Sequence, residues 1–142
     1  MRGYRFHEAW HVPHPRAQVQ RVLADVERYP EWWPQVVACA RVSSTSGIVV
    51  CRSELPYTLE LRLTELRREP DVLETSVDGD LVGRVRWRLD ERDGGTDLSF
   101  EQEVVVGTPA LALASYLGRP LLRWNHARMM AGCRAGLADR LG

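Results

Sequence analysis

The chain contains no lysine: all 19 of its basic residues are arginine. It therefore lacks a side-chain amine able to form an imine, which excludes Schiff-base catalysis through lysine. Cysteine is scarce. Cys39, Cys51 and Cys133 are widely spaced and form no Cys-x-x-Cys pair, so neither a disulfide framework nor a zinc knuckle is expected, and a reducing compartment fits. Neither sign of charge is in surplus, with 19 acidic residues against 19 basic. That balance argues against nucleic acid as a partner and against a polybasic membrane anchor. No apolar run approaches membrane-spanning length, and Met1-Arg2-Gly3-Tyr4-Arg5-Phe6 has no apolar signal core. A soluble, cytoplasmic protein without stable membrane insertion is the expectation. A Gly-rich phosphate loop, a Gly-x-Ser-x-Gly elbow, a His-Glu-x-x-His pair and a Rossmann fingerprint are all absent. Nucleotide and zinc-protease readings drop out, and no cofactor or metal is expected.

What the chain does have is a burst of aromatic residues between prolines, Tyr29-Pro30-Glu31-Trp32-Trp33-Pro34. Each proline pushes its predecessor out of the α region, so the chain must turn sharply there into a packed corner. Before it, Tyr4, Phe6, Glu8, Trp10 and Val12 alternate with polar or small residues as a strand does, and Val19, Val22, Leu23 and Val26 recur at helical spacing. After it the period of two returns. Strands are predicted over Val36 to Val42, Ile48 to Ser53, Tyr57 to Thr64, Leu73 to Val77, Leu81 to Leu89 and Leu98 to Val106, with turn residues between them. Thr108-Pro109 then opens a long Leu-, Ala- and Arg-rich helix that runs to Leu141. The 142 residues suit one domain, residues 1–142. Its fold class is α+β: a seven-stranded antiparallel sheet whose dry face is covered by the terminal helix.

Such a sheet curls, and a straight helix laid across its concave side meets the rim more readily than the centre. The inward rows mix Leu59, Leu61, Val85, Trp87 and Phe100 with small or polar Thr75, Gly83 and Gln102, the usual lining of a small-molecule pocket. On the terminal helix, Gly118, Leu122, Asn125, Met129, Gly132 and Gly136 share one face. The glycines are expected to admit the helix closely to the sheet. Trp10, Trp33, Leu122 and Met129 complete the apolar part of the candidate ligand-binding set, and Glu8, Tyr57, Gln102, Asn125 and His126 supply its polar points.

Glu8 and His126 are the candidates for acid-base catalysis. Glu8 is a carboxylate on an otherwise apolar row, unless the strand edge leaves it solvated or paired with an arginine. His126 is a base or hydrogen-bond donor, unless it only satisfies backbone groups. Because adjacent helix positions point about 100° apart, at most one of Asn125 and His126 is expected to point centrally. His7 and His11 share the other face of the first strand and would need a third ligand to hold a metal.

Taken in order, the strand ending in Val12-Pro13-His14-Pro15, the Val19-to-Asp25 helix leading to the Pro-Trp corner, Cys51-Arg52-Ser53 before Pro56-Tyr57, and Arg119-Pro120-Leu121-Leu122-Arg123-Trp124-Asn125-His126 resemble the START-like (SRPBCC) superfamily. Within it, the resemblance is to the polyketide cyclase/dehydrase and lipid-transport group, and it covers nearly the whole chain. The resemblance implies the helix-grip fold, a curved sheet wrapped around a long C-terminal helix with a hydrophobic tunnel for a lipid, sterol, quinone or polyketide-like ligand. No motif here matches a cyclase active site residue by residue, so the resemblance carries over no catalytic residues.

Three functions follow as expectations. The first is an intracellular carrier that binds a hydrophobic or amphipathic small molecule. The second is a cofactor-independent cyclase, aromatase or dehydratase. The third is a protein-interaction module that docks through an exposed Trp-Pro corner or the arginine-bearing strand face, and burial of both Trp32 and Trp33 would remove that corner from consideration.

Overall fold

The computed structural model describes residues 3–52, 58–107 and 109–142, the last segment by backbone alone at 109–119 and 121. Strand β1 (Gly3–Val12) is followed by helix α1 (Arg16–Ala24) and a 3₁₀ helix (Val26–Glu31) that leads into the aromatic corner. Strands β2 (Val36–Arg41), β3 (Ser46–Arg52), β4 (Thr58–Arg68), β5 (Val72–Gly79), β6 (Leu81–Arg92) and β7 (Gly95–Val106) come next, and helix α2 (Pro109–Leu141) closes the chain. All the strands belong to one antiparallel sheet in the order β1-β7-β6-β5-β4-β3-β2. The α+β helix-grip architecture is thus present, with the strands where period-two alternation put them. Several strands run a few residues further than the apolar alternation alone suggests.

Hairpin chemistry joins neighbouring strands. Between β6 and β7, Asp93 and Gly94 both have positive φ, 52° and 77°, the conformation that matches a tight turn to the right-handed twist of the strands. The first strand pairs with the last, Tyr4 opposite Val104 and Phe6 opposite Gln102.

Cross-strand register sorts the inward side chains into rows. One row runs Trp10, Leu98, Leu89 and the next Glu8, Phe100, Trp87, Leu73. A third runs Phe6, Gln102, Val85, Thr75, and a fourth Tyr4, Val104, Gly83, Val77, Leu63. The first rows are large and apolar. They pack with Val19 and Leu23 of α1 and with Cys133, Leu137 and Leu141 of α2 into a core.

The corner is a plug. Tyr29, Trp32 and Trp33 are buried and in mutual ring contact, with centroids 5.1 to 5.6 Å apart. The Tyr29 hydroxyl donates to the Leu23 carbonyl, satisfying one of the acceptors that the end of α1 leaves open. Trp33 Nε1 donates to the Met129 carbonyl at 3.0 Å and so ties the corner to α2. Gly132 and Gly136 of α2 serve this contact rather than the sheet, and Gly118 lies where the backbone alone is described. A Cβ on Gly136 would lie 1.7 Å from the Trp32 carbonyl oxygen, and one on Gly132 would lie 2.0 Å from Gln35 Oε1. The expectation of glycine-mediated approach to the sheet is corrected accordingly: α2 leans on the corner, and the corner holds it there. With both tryptophans buried, the corner is not a docking surface. No helix among the described residues is long and apolar enough to cross a membrane.

Candidate functional site

Where the rows turn small, sheet and helix part. The third and fourth rows present Gln102, Val85, Thr75 and Gly83, and the space above them is a cavity of about 240 Å³. It runs between Leu81, Val106 and Leu122 at one end and the β2–β3 turn and the last residues of β4 at the other. Leu59, Leu61, Val85, Trp87 and Phe100 of the sheet line it, with Trp33 of the corner and Leu122, Asn125, His126 and Met129 of α2. Eleven of the fourteen residues selected from sequence as ligand-binding line this wall, and Tyr57 lies outside the described residues.

Two of the fourteen fall elsewhere. Glu8 and Trp10 share the inward face of β1 but sit past the end of the cavity. Trp10 packs edge-on to Trp87 at 6.2 Å and beneath the Arg134 guanidinium at 5.4 Å. Glu8 stands opposite Phe100, in a row that reaches the wall through Phe100, Trp87 and Leu73 but not through Glu8 itself. The helix crosses β1 so that its 126 turn covers Phe6 while its 134 turn reaches Trp10, with Glu8 between them along the strand. Glu8 is not among the residues that line the cavity. Conversely, Asn125 and His126 both line the wall, where at most one was expected to point centrally. The hollow spans enough of the helix circumference to take in two adjacent positions.

His126 is the imidazole of this wall. Its ring stacks on Phe6, centroids 3.6 Å apart and planes 11° off parallel, and its Nε2 lies 3.1 Å from Gln102 Oε1. Burial, reinforced by the Arg123 guanidinium, lowers its pKa to about 4, so the imidazole is neutral at physiological pH. The thiols behave differently. Burial pushes Cys51 up to about 12 and raises Cys39 and Cys133. Although Cys39 and Cys51 line the cavity, they are thiols rather than thiolate nucleophiles at neutral pH. Burial likewise raises Tyr29, whose hydroxyl is committed to Leu23.

The far mouth is charged. Glu27, Arg41, Glu65, Arg67 and Arg68 line it, with Arg41 paired to Glu27, Arg68 to Glu65, and Arg67 to Glu69 at 2.6 Å. Sequence reasoning missed this rim, because its residues sit at strand ends and turns where they look like ordinary solvated charge. It also left out Tyr4, Phe6, Leu63, Val77 and Met130, which line the cavity and which the alternation and helix spacing already placed on the inward side. On the outer face, His11 Nδ1 bonds Asp97 at 2.8 Å, and no three His, Cys, Asp or Glu side chains among the described residues converge as a metal site.

Comparison with known proteins gives a consistent picture. A family model described as polyketide cyclase / dehydrase and lipid transport matches residues 12–131. No curated protein matches by sequence. Among solved structures, a START superfamily protein from Mycobacterium smegmatis superposes with a TM-score of 0.78 at 14% identity, over 96% of each chain. A protein from Thermus thermophilus gives 0.79 at 16% identity, over 97% of each. The Zhui aromatase/cyclase from a Streptomyces species gives 0.73 at 16% identity, over 99% of this chain and 94% of that one. At such identities the likeness is one of fold.

Proposed function

Because the chain belongs to the polyketide cyclase / dehydrase and lipid transport family, with the START-like fold, we propose that it encloses a hydrophobic or amphipathic small molecule between sheet and α2, as an intracellular carrier for a lipid, quinone or polyketide-like ligand. In this reading residues 1–142 form one ligand-binding domain. The observation that carries it is the hollow of about 240 Å³ walled by apolar side chains, with Gln102, Asn125 and His126 as polar points among them. Apolar ligand surface buried there contributes roughly 25 cal/mol per Å², and the polar points set orientation. Native mass spectrometry of freshly purified protein should find a retained small molecule, and the fluorescence of N-phenylnaphthylamine should rise on binding and fall back in Val85→Trp, which fills the hollow. Empty protein together with a silent dye would defeat the reading.

A cofactor-independent cyclase, aromatase or dehydratase activity is the second reading. It is favoured by the neutral imidazole of His126 on the cavity wall, a base in the form needed to accept a proton. If an acyl thioester of the poly-β-ketone class is converted, His126→Gln should lower kcat at least a hundredfold while dye binding persists. Unchanged turnover would remove His126 from that role.

A further inference from the structure

The even overall charge conceals a segregation. Helix α2 holds five arginines, Arg119, Arg123, Arg128, Arg134 and Arg140, against one acid, Asp139, and no acidic residue occurs between Glu103 and Asp139. The helix therefore carries a surplus of four positive charges, which the rest of the neutral chain balances. On the sheet, by contrast, arginines stand opposite acids across the strands: Arg84 faces Glu103, Arg86 faces Glu74 and Glu101, and Arg62 faces Asp78. The described guanidiniums of α2 lack such partners apart from Arg140, which pairs with Glu31 at 2.9 Å. Arg123 and Arg134 lie over the Phe6 and Trp10 rings, 5.7 and 5.4 Å from the centroids, contacts that hold them in place without cancelling their charge. Glu8, between the two rings along β1, pairs with neither.

The outer side of α2 also holds the one exposed Trp, Tyr or Phe among the described residues, Trp124 at 50% exposure. Helical spacing sets Trp124 and Arg128 on the face turned away from Cys133 and Leu137, with exposed Ala127 and Ala131 between them and Arg123 and Arg134 along one flank. A protein partner is gripped by shaped side chains that fill pockets, and alanines supply none. An indole amid unmatched arginines gives instead a diffuse positive field with one amphipathic anchor, which suits the headgroup layer of a membrane. Resting on the carrier reading above for its purpose, we propose that the outer face of α2 docks the protein reversibly on an anionic lipid bilayer. The acidic remainder of the chain is repelled from such a surface and orients the molecule helix first. The inner side of the same helix walls the hollow through Leu122 and Met129, so docking brings lipid within one helix diameter, about 10 Å, of the guest.

Co-sedimentation with vesicles tests this. The native protein should pellet with vesicles of equal parts phosphatidylcholine and phosphatidylglycerol, stay in solution with phosphatidylcholine alone, and be released as salt is raised. Arg123→Gln, Arg128→Gln and Arg134→Gln together should lower the partition on the order of a hundredfold, and Trp124→Ala should lower it severalfold. Arg62→Gln, Arg84→Gln and Arg88→Gln together remove the same charge from the sheet and should cost far less. Without vesicles, every variant should still raise the fluorescence of N-phenylnaphthylamine, which shows that fold and cavity persist. Failure to pellet with the anionic vesicles, equal pelleting with both kinds, or equal losses from the helix and sheet triples would each overturn the docking face. Retention on immobilised polyglutamate with none on vesicles would overturn it too, and would give the face to an acidic protein. All of these outcomes leave the carrier reading intact where the dye binds, whereas a silent dye with normal vesicle partition would defeat that reading and leave the docking face standing.

Discussion

The two halves of the sheet–helix interface are built from the same elements yet differ in kind. Around Leu98 and Leu89, 1% and 0% exposed, α2 brings in Cys133 and Leu137 at 0% and 1%, and nothing is left open. About two helical turns earlier, α2 faces Gln102, Val85 and Thr75, and the two surfaces separate around a cavity. Curvature alone does not explain the difference, since the sheet is continuous and the helix is one element. The side chains set it, row by row: leucine and tryptophan reach across the gap, whereas valine, threonine and glycine do not. The aromatic corner then pins α2 at the closed end through Trp33 and the bare faces of Gly132 and Gly136, so the helix cannot settle onto the shorter rows. A solid core and a binding site are thus one interface with different residue volumes.

The comparison breaks if truncation costs the same in both halves. Leu98→Ala should lose about 3 to 5 kcal/mol of stability in urea unfolding, because it opens a new void among fully buried neighbours. Val85→Ala only enlarges an existing space and should lose about 1 kcal/mol or less. Similar losses would mean that the hollow half collapses onto itself in solution.

Acid separates the halves next. The folded protein holds His126 near 4, below its ordinary 6.5, so the unfolded chain binds the proton first. The fold keeps its full stability above about pH 6.5 and loses it progressively as pH falls toward 4, by roughly 3 kcal/mol at the lower limit. Midpoints of urea unfolding across this range should follow that slope. His126→Phe should flatten it, whereas Leu98→Ala should shift the curve downward without changing its slope.

The smallest effect concerns the joint between the halves. Tyr29→Phe leaves the ring contacts but removes the hydroxyl bonded to the Leu23 carbonyl, and should lower stability by about 1 kcal/mol in thermal unfolding. N-phenylnaphthylamine affinity should change less than twofold, since the hydroxyl faces α1 and not a ligand. A large loss of dye binding would show that the plug shapes the cavity directly.

In both halves the inward strand faces and the aromatic corner were legible from sequence. Alternation in Leu59 to Leu63 and Leu98 to Val106 reports which face is dry, and the prolines around Trp32 and Trp33 report a corner, because both signals are local. The open half depends on which helix turn covers which strand row, a matter of crossing angle and register that no single segment encodes. For this reason the row of Glu8, the carboxylate that stood out on an apolar face, reaches the cavity wall while Glu8 itself does not line it. For the same reason Asn125 and His126 both reached the wall. The charged mouth was illegible for a further reason: Arg41, Glu65 and Arg68 have an ordinary surface composition, and only their convergence in space gives them meaning.

The pairing of β1 with β7 also governs how the molecule comes to exist. Its register joins Tyr4 to Val104, so a strand near the start of the sequence must wait for the last strand to be synthesised. Until then it offers an unsatisfied backbone edge to any neighbouring chain. Contacts of such long sequence separation slow folding, and here the delay falls on the polar end of the cavity, since Phe6, Gln102 and His126 meet only through that closure and the final helix. A nascent chain would thus gain its compact hairpins early and its capacity for a guest last, which makes ligand capture a marker of completed folding.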